Sequence, residues 1–446
     1  MSRMKIKVLC RDPRDYTRQR SSDIHKLPRN LDPSLHPLEG PREYVRALNA
    51  AKLDRVFAKP FLCNLAGHTD GVYTIRKHPN LLSVVLSGSC DGQVKIWNLA
   101  NQQCLRSVPA HEGFVRGLSM TREGNSFLTV GEDKVIKQWP FPEEDEGELE
   151  PVNTILGKSV FQGVDCHWNE DKFATCGEKV DIWDEARSEP IRSFTWGPDS
   201  ITSIRFNPIE FNLLATVGSD RAVALYDIRQ PVPLRKVVLS MRSNAVAWNP
   251  MEPLNFTVAN EDSNLYSFDM RRLDKSRIVH KDHVMAVMDV DYSPTGTEFV
   301  SGSFDKTLRI FGVEAGHSRE IYHTKRMQRV FCVAWSSDAS YILSGSDETN
   351  IRLWKASASE KIGKVHLREK AALDYASSLR EKFKHHPQVR RIARHRHVPK
   401  LVFKQAREKR IIMASRRRKA RNVALHSKPG TTVQPKEKTK NIVEVA

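Results

Sequence analysis

The 446-residue sequence predicts an all-β fold, a seven-bladed β-propeller with a basic N-terminal extension and a basic, partly helical C-terminal tail. The first observation behind this prediction is an aromatic residue that recurs with gaps of 42, 44, 43, 42, 43 and 43 residues. A period of roughly 40–45 residues is typical of propellers in which each repeat supplies one blade of four short strands. The recurring residues are Trp97, Trp139, Trp183, Tyr226, Phe268, Phe311 and Trp354.

The second observation is a set of four positions that recurs inside the repeats. A histidine comes first and a hydroxyl residue follows; an aspartate stands four positions after the hydroxyl, and the aromatic residue six positions after the aspartate. This spacing is the signature of the WD repeat, in which the set forms a buried relay from indole N–H to hydroxyl to imidazole to carboxylate. The sets are His68, Ser87, Asp91 and Trp97 in blade one, His111, Thr129, Asp133 and Trp139 in blade two, and His283, Ser301, Asp305 and Phe311 in blade six.

A His/Ser/Asp trio also admits a hydrolase interpretation. The trio has a structural purpose, however, because each buried polar group would cost about 1–3 kcal/mol if it were left unpaired. No Gly-x-Ser-x-Gly elbow accompanies the trio, and an active site is not normally copied from blade to blade. We therefore predict structural tetrads, no catalytic residues and no enzymatic activity.

The other blades depart from this pattern. Blade four has Thr216 and Asp220 at the right offsets but no Gly-His pair, and blade five has Val258 where the hydroxyl belongs. In blade seven Glu348 replaces the aspartate, and blade three is about two residues shorter and lacks the aspartate. Where the relay is lost, we expect packing to hold the blade.

The repeats also predict where the ring closes. The stretch from Phe57 to Leu65 precedes the first Gly-His and is predicted to be the outer strand of the seventh blade, which would remove the open edges of the ring. The predicted domains are the extension over residues 1–55, the propeller over residues 56–360 and the tail over residues 361–446. One insertion contains Glu143-Glu144-Asp145-Glu146 and is expected to be a solvated acidic loop.

Charge is distributed unevenly along the chain. Residues 1–59 carry 14 Lys and Arg against 7 Asp and Glu, and residues 361–446 carry 25 against 6. Since the whole chain has a formal net charge of +18, the ring between them is left at −8. A basic tail on an acidic ring indicates a polyanionic partner, most often nucleic acid, with a merely solvated tail as the alternative.

Three helical segments are predicted in the tail, over residues 372–383, over residues 389–393, and from about Lys400 to a stop at Pro429-Gly430. Their mixture of apolar stripes and Arg runs indicates helices that order on a large surface and neutralise phosphates there. The predicted RNA-binding or nuclear-localisation residues are Arg416, Arg417, Arg418, Lys419 and Arg421.

Several other kinds of site are not expected. The seven cysteines contain no Cys-x-x-Cys pair, so we predict no structural zinc; their odd number, without a secretory signal, fits a reducing intracellular compartment. The histidines clustered over residues 385–397 lack nearby Cys or Asp ligands, so no metal is predicted there. No Gly-x-x-x-x-Gly-Lys phosphate loop and no run of roughly 18 apolar residues occur, so neither a cofactor nor a membrane partner is expected.

Motifs in both extensions resemble those of the Sof-type WD-repeat proteins, which include the DDB-and-cullin-associated factors. Two of these motifs are Arg-Ala-Leu-Asn-Ala-Ala-Lys-Leu at residues 46–53 and Arg-Ile-Ala-Arg-His-Arg-His at residues 391–397. The other matching stretches are residues 28–37, 41–44, 56–61, 111–117 and 426–430. The resemblance covers nearly the whole chain.

This resemblance implies a nucleolar component of the small-subunit processome, which assembles on precursor ribosomal RNA and supports its early cleavages. The implied partners are processome proteins, with pre-rRNA or small nucleolar RNA held by the basic extensions. The predicted function is therefore a non-enzymatic scaffold of ribosome biogenesis. Some members are also described as substrate receptors of cullin-four ubiquitin ligases, which is the alternative function, and the two can coexist.

The receptor role has a motif of its own in the family, Trp/Tyr-Asp-x-Arg at a blade end, whose Arg contacts the ligase adaptor. The chain offers Tyr226-Asp227-Ile228-Arg229 and Phe268-Asp269-Met270-Arg271, and Phe268 departs from the usual Trp or Tyr. A third stretch, Trp183 to Arg187, is one residue too long. Asp227, Arg229, Asp269 and Arg271 are the predicted adaptor contacts, with turn support as the open alternative.

Overall fold

The computed structural model describes residues 35–142, 149–195, 199–428, 431 and 436–445. The predicted acidic loop, residues 28–34 of the matching N-terminal stretch, and Pro429-Gly430 lie outside these residues. The described chain forms two compact units, which are considered separately: a helical unit of residues 35–59 and 357–395, and a propeller unit of residues 60–356 and 396–445. None of the helices within these described segments is both long and apolar enough to cross a membrane.

Seven antiparallel blades are present within the described residues, as predicted. The first strand in the chain, β1 (Phe61–Leu65), belongs to blade seven. Blade one contains β2 (Val72–Lys77), β3 (Val84–Ser89), β4 (Gln93–Asn98) and β5 (Gln103–Pro109). Blade two contains β6 (Val115–Met120), β7 (Ser126–Gly131), β8 (Val135–Pro140) and β9 (Asn153–Leu156), and blade three contains β10 (Gly163–Cys166), β11 (Lys172–Cys176), β12 (Val180–Asp184) and β13 (Arg192–Phe194).

The remaining blades follow the same order. Blade four contains β14 (Ile201–Phe206), β15 (Leu213–Gly218), β16 (Ala222–Asp227) and β17 (Arg235–Leu239), and blade five contains β18 (Ser243–Trp248), β19 (Asn255–Asn260), β20 (Asn264–Asp269) and β21 (Ile278–Lys281). Blade six contains β22 (Val287–Tyr292), β23 (Glu298–Ser303), β24 (Leu308–Gly312) and β25 (Ser318–Tyr322), and blade seven contains β26 (Val330–Trp335), β27 (Tyr341–Ser346) and β28 (Ile351–Lys355).

The periodic aromatic residues anchor the blades. All seven are buried, and each lies at or near the end of the third strand of its blade. Several stack on an aromatic residue of a neighbouring strand, as Trp139 does on Phe127 and Phe311 on Phe299, with ring centroids 6.3 and 5.4 Å apart. These contacts explain why Tyr or Phe can replace Trp, since ring packing does not need the indole N–H.

The ring is closed by its two ends. β1 pairs antiparallel with β28, with Cys63 opposite Leu353 and Leu65 opposite Ile351. The innermost strands β26 and β2 also contact each other, as the innermost strands of consecutive blades do elsewhere in the ring. The closing strand therefore starts at Phe61, four residues after the first residue of the stretch predicted for it.

The connections between strands define two faces of the ring. Because successive strands are antiparallel, the connections between second and third strands, and those from one blade to the next, lie on one face, which we call the upper face. The connections between first and second strands, and between third and fourth strands, lie on the opposite, lower face.

The helical unit contains α1 (Glu39–Val56), α2 (Leu367–Lys382) and α3 (Pro387–Arg394). Ala47 and Ala51 of α1 are buried in a small cluster with Leu379 and Val389. An ion pair of 2.6 Å joins Arg380 to Asp54 within this unit. Helices α2 and α3 correspond to the first two predicted helical segments, whereas α1 was not among the predicted elements.

Two further elements belong to the propeller unit. The third predicted helical segment is α4 (Lys400–His426). The second element, β29 (Ile442–Val445), was not predicted and adds a fifth strand to blade four. It pairs antiparallel with β17, placing Val445 opposite Val237 and Ile442 opposite Leu239.

Candidate functional site

Blade two contains the full predicted relay. His111 precedes β6, Thr129 lies on β7, Trp139 lies on β8, and Asp133 occupies the turn between these two strands. The indole N–H of Trp139 donates to Thr129 Oγ1 at 3.0 Å, Thr129 Oγ1 lies 2.8 Å from His111 Nε2, and His111 Nδ1 lies 2.9 Å from the Asp133 carboxylate. Burial lowers the pKa of His111, with Asp133 opposing that shift.

Blade six repeats the relay without its first member. His283 Nδ1 lies 2.9 Å from Asp305, and its Nε2 lies 2.7 Å from Ser301 Oγ. Phe311 has no N–H to donate, so the relay begins at the hydroxyl. Burial lowers the pKa of His283 despite the adjacent Asp305 carboxylate.

In blade one the structure joins three of the four predicted residues. Ser87 Oγ accepts from Trp97 Nε1 and contacts His68 Nε2, both at 2.7 Å. His68 Nδ1, however, lies 3.6 Å from Asp91, beyond hydrogen-bonding distance. The Asp91 carboxylate instead accepts from the backbone N–H and the hydroxyl of Thr69, at 3.0 and 2.9 Å. Burial lowers the pKa of His68 to about 4.

Two of the blades that lack the full tetrad, blades three and seven, keep the hydrogen bond from the indole to a hydroxyl residue. Trp183 donates to Thr175 at 2.8 Å in blade three, and Trp354 donates to Ser344 at 2.9 Å in blade seven. In blade seven the buried Arg352 guanidinium bonds Ser346 at 3.0 Å and pairs with Glu348. An arginine–glutamate pair thus supplies buried polar contacts in a blade that lacks the histidine.

Blade five contains a buried network that the sequence pattern did not predict. Thr257 Oγ1 lies 2.7 Å from Ser267 Oγ and 2.6 Å from the hydroxyl of Tyr292 in blade six. Ser267 Oγ lies 2.9 Å from His280 Nε2, and His280 Nδ1 lies 2.7 Å from the carbonyl oxygen of Ala315. The hydroxyl residue of blade five is Thr257, one position before Val258, the position at which the sequence pattern places the hydroxyl. Thr257 and Ser267 are opposite each other on the paired strands β19 and β20.

The side chains of the relay histidines are buried. The side chains of His68, His111 and His283 are each 0% exposed, and their ring nitrogens face groups of their own blade. Buried side chains of this kind can hold strands and turns together.

The two Asp-x-Arg motifs lie on the lower face, at the ends of the third strands of consecutive blades. Asp227 accepts from the backbone N–H of Arg229 at 2.9 Å, and Asp269 accepts from that of Arg271 at 3.0 Å. The Arg271 guanidinium also donates to both Asp269 oxygens, at 3.2 and 3.1 Å, and this hydrogen bonding lowers the pKa of Asp269. The Arg271 side chain is nevertheless 67% exposed, so the solvent-facing edge of its guanidinium is accessible to a binding partner.

Helix α4 lies against the upper face of blades five and six. Its Lys409 ammonium donates to the Ser263 hydroxyl and to the carbonyl oxygen of His283, the latter at 3.3 Å. Burial lowers the pKa of Lys409. Beyond this anchor the helix carries the predicted basic run, whose members are all exposed: Arg416, Arg417, Arg418, Lys419 and Arg421.

The sequence matches family models for both the C-terminal region and the WD repeats. A family model described as Sof1-like domain matches residues 356–442, and the model for the WD domain, G-beta repeat, matches residues 59–98, 102–140, 275–312 and 318–355. The chain is 60% identical to DDB1- and CUL4-associated factor 13 of Danio rerio over 443 residues, which cover 99% of this chain and 100% of that protein. The chain belongs to the Sof1-like family of WD-repeat proteins.

Other members of the Sof1-like family are also similar over most of their length. DDB1- and CUL4-associated factor 13 of Homo sapiens is 59% identical with the same coverage, and Protein SOF1 of Saccharomyces cerevisiae is 46% identical, covering 94% of this chain and 91% of that protein. Among solved structures, the WD40 β-propeller domain of Doa1 superposes with a TM-score of 0.58 at 18% identity, covering 66% of this chain and 96% of that one. This last likeness concerns the fold alone.

Proposed function

We propose that this protein is a non-enzymatic scaffold of ribosome biogenesis, a nucleolar component of the small-subunit processome. In this role it binds pre-rRNA or small nucleolar RNA through its basic extensions, assembles with processome proteins through the ring, and supports pre-rRNA processing and maturation of the small-subunit rRNA. The observation that carries the proposal is the exposed basic run of α4, held on an acidic ring by Lys409. Membership of the Sof1-like family supports it.

The charge division favours RNA over a neutral partner. A run of arginines on one exposed helix can contact successive phosphates and release the counterions condensed on them, which gives strong, salt-dependent binding. The ring carries a net negative charge. RNA is therefore expected to bind at the basic N-terminal and C-terminal extensions and not over the whole surface of the protein.

The non-enzymatic part of the proposal is supported by the burial of the relay histidines. General acid–base chemistry requires a side chain within hydrogen-bonding reach of the substrate. The side chains of the three histidines are fully buried, and each Nε2 already lies within hydrogen-bonding distance of a hydroxyl group of its own blade.

The test is affinity purification of the full-length protein under native conditions, read by mass spectrometry and RNA sequencing. We expect pre-rRNA with processome proteins in the wild-type sample. A variant lacking residues 396–446 should retain a folded ring by circular dichroism and lose most RNA affinity across a salt series. Equal RNA binding by that variant would show that the tail is not the RNA-binding part.

A second function, substrate receptor of a cullin-four ubiquitin ligase, is favoured by a separate observation. Two relatives of nearly the same length are named DDB1- and CUL4-associated factor 13. The Asp-x-Arg motifs of blades four and five occupy equivalent positions on the lower face, and the Arg271 side chain is largely exposed. The adaptor would bind that face, whereas α4 lies on the upper one, so α4 itself does not cover the adaptor site.

A further inference from the structure

A cleft of about 880 Å³ opens on the lower side of blade five. Its floor is the connection between β18 and β19, residues 251–254, and one wall is the connection between β20 and β21, residues 270–277. The other wall is the C-terminal segment, residues 436–439. The C-terminal segment is fixed in place because the backbone N–H and the hydroxyl of Ser276 donate to the carbonyl oxygen of Lys438, at 3.0 and 2.9 Å.

The cleft has an excess of cations. Its three acidic residues already have basic partners: Glu252 pairs with Arg277 at 2.8 Å, Asp269 pairs with Arg271, and Glu437 pairs with Lys281 at 2.7 Å. Four further cations line the cleft and are exposed, and within the described part of the chain none of them forms an ion pair with a carboxylate. They are Arg272, Lys275, Lys436 and Lys438.

The cleft is connected to the basic helix. The Glu437 carboxylate lies 2.7 Å from Lys281 and 3.3 Å from Arg417 of α4. Ser276 precedes β21 by two residues and Lys281 is its last residue, so the contacts of Lys438 and Glu437 place the C-terminal segment beside the outer strand of blade five. A line of cations therefore continues from the Arg run of α4, past Lys281, into the cleft.

We propose that this cleft is a binding site for single-stranded RNA, in which Arg272, Lys275, Lys436 and Lys438 contact successive phosphates. The inference rests on the proposed function and adds to it a second RNA site, on the ring itself. One strand could then cross from α4 to the lower side of blade five without leaving basic surface.

The floor of the cleft distinguishes single-stranded RNA from other polyanions. Met251 is 65% exposed there, beside Pro253 and Leu254. Unpaired bases offer apolar faces to such a floor, whereas the bases of a duplex are stacked inside it and a purely acidic peptide such as polyglutamate has no apolar side chain.

The cleft also contains Arg271 of the second Asp-x-Arg motif. RNA in the cleft would cover the outer edge of this arginine, so RNA and the ligase adaptor should compete for blade five. Arg271 is kept intact in the test below so that the two functions are measured separately.

The test uses the full-length protein and a short, fluorescently labelled uridine-rich RNA in a salt series from 50 to 200 mM. The cleft variant carries Arg272→Ala, Lys275→Ala and Lys438→Ala. A matched control carries Lys158→Ala, Lys179→Ala and Arg187→Ala, which remove the same charge from exposed positions of blade three and its flanks. A third variant, in α4, carries Arg416→Ala, Arg418→Ala and Lys419→Ala.

The cleft variant should lose about tenfold or more in affinity, and its salt slope should fall by about 2, since each phosphate contact of a single strand contributes about 0.7. The control should bind like wild type, and circular dichroism should be unchanged in all variants. If the cleft variant binds like wild type while the α4 variant is weakened, the cleft is not an RNA site and the proposed function stands. If neither variant is weakened, RNA binding through the tail fails as well. Competition by a polyglutamate peptide as strong as that by unlabelled RNA would overturn the assignment to RNA.

Discussion

His111 Nδ1 lies 2.9 Å from the Asp133 carboxylate in blade two, whereas the equivalent pair in blade one, His68 and Asp91, is separated by 3.6 Å. Two tetrads with the same spacing in sequence therefore differ in one link of the relay. The difference has an energetic consequence, because removing a carboxylate strands a buried imidazole only where the two are bonded.

Asp133→Ala should lower the free energy of unfolding by about 1–3 kcal/mol, because His111 Nδ1 loses its partner inside the blade. Asp91→Ala should cost less, since the Thr69 groups bonded to Asp91 are exposed and can bond water instead. Urea unfolding of both variants measures the difference. Equal costs would show that the two aspartates have the same role, and lost RNA or partner binding at normal stability would restore a functional role for the tetrads.

The stability contributed by His280 should depend on pH. Burial lowers its pKa from 6.5 to about 4, so between these values the unfolded chain binds a proton that the folded chain does not. Acid therefore favours unfolding through this residue, and the cost of His280→Gln at pH 7 should shrink by about 2 kcal/mol by pH 4.5.

The comparison between wild type and variant isolates His280 from carboxyl groups of opposite effect. Burial raises the pKa of Asp165 to about 6 and that of Asp289 to about 7, and such groups gain stability as the pH falls. Because both aspartates are present in both proteins, they cancel in the difference measured by urea unfolding. A cost of His280→Gln that is the same at pH 7 and pH 4.5 would contradict the prediction.

Combining Arg229→Ala with Arg271→Ala should weaken pull-down of the ligase adaptor and leave association with processome proteins unchanged. The guanidinium of Arg271 is largely exposed and makes its ion pair within its own turn, so its loss should not unfold the blade. Arg187→Ala is the matched control, because its motif is one residue too long. Equal adaptor recovery by the double variant would remove these motifs from the receptor function.

Lys409→Ala should release α4 from the upper face of the ring. Its ammonium is the group that bonds both Ser263 and the His283 carbonyl, so hydrogen exchange over residues 400–426 should become faster while exchange in the blades stays constant. Lys404→Ala, at an exposed position of the same helix, serves as the control. Unchanged protection of α4 in the Lys409 variant would show that other contacts hold the helix.

The sequence was informative where the structure repeats. The aromatic residues lie near the ends of equivalent strands. Each strand is held by pairing with its neighbours, so the spacing of these residues is nearly constant. This spacing predicts the ring and its closure by β1. The same repetition located the hydroxyl residues of blades one, two and six. The distance between His68 and Asp91 could not be predicted, because it depends on Thr69 competing for the carboxylate.

The elements that were missed have weak local signals. Helix α1 buries only two alanines, Ala47 and Ala51, so its apolar periodicity is slight. Strand β29 has four residues and is ordered by pairing with the edge of β17, a long-range contact that no local pattern records. The cleft on blade five is likewise absent from any single motif, since its walls come from residues 270–277 and 436–439.

Because β1 pairs with β28, β1 is synthesised long before its partner strand. Leu65 leaves the ribosome about 290 residues before Ile351, its partner across the two strands. At roughly 5–20 residues per second, β1 waits about 15–60 s without a partner. During that interval the growing chain exposes an unpaired strand at each end of an incomplete ring, and chaperones that cover strand edges would have their greatest effect on this protein then.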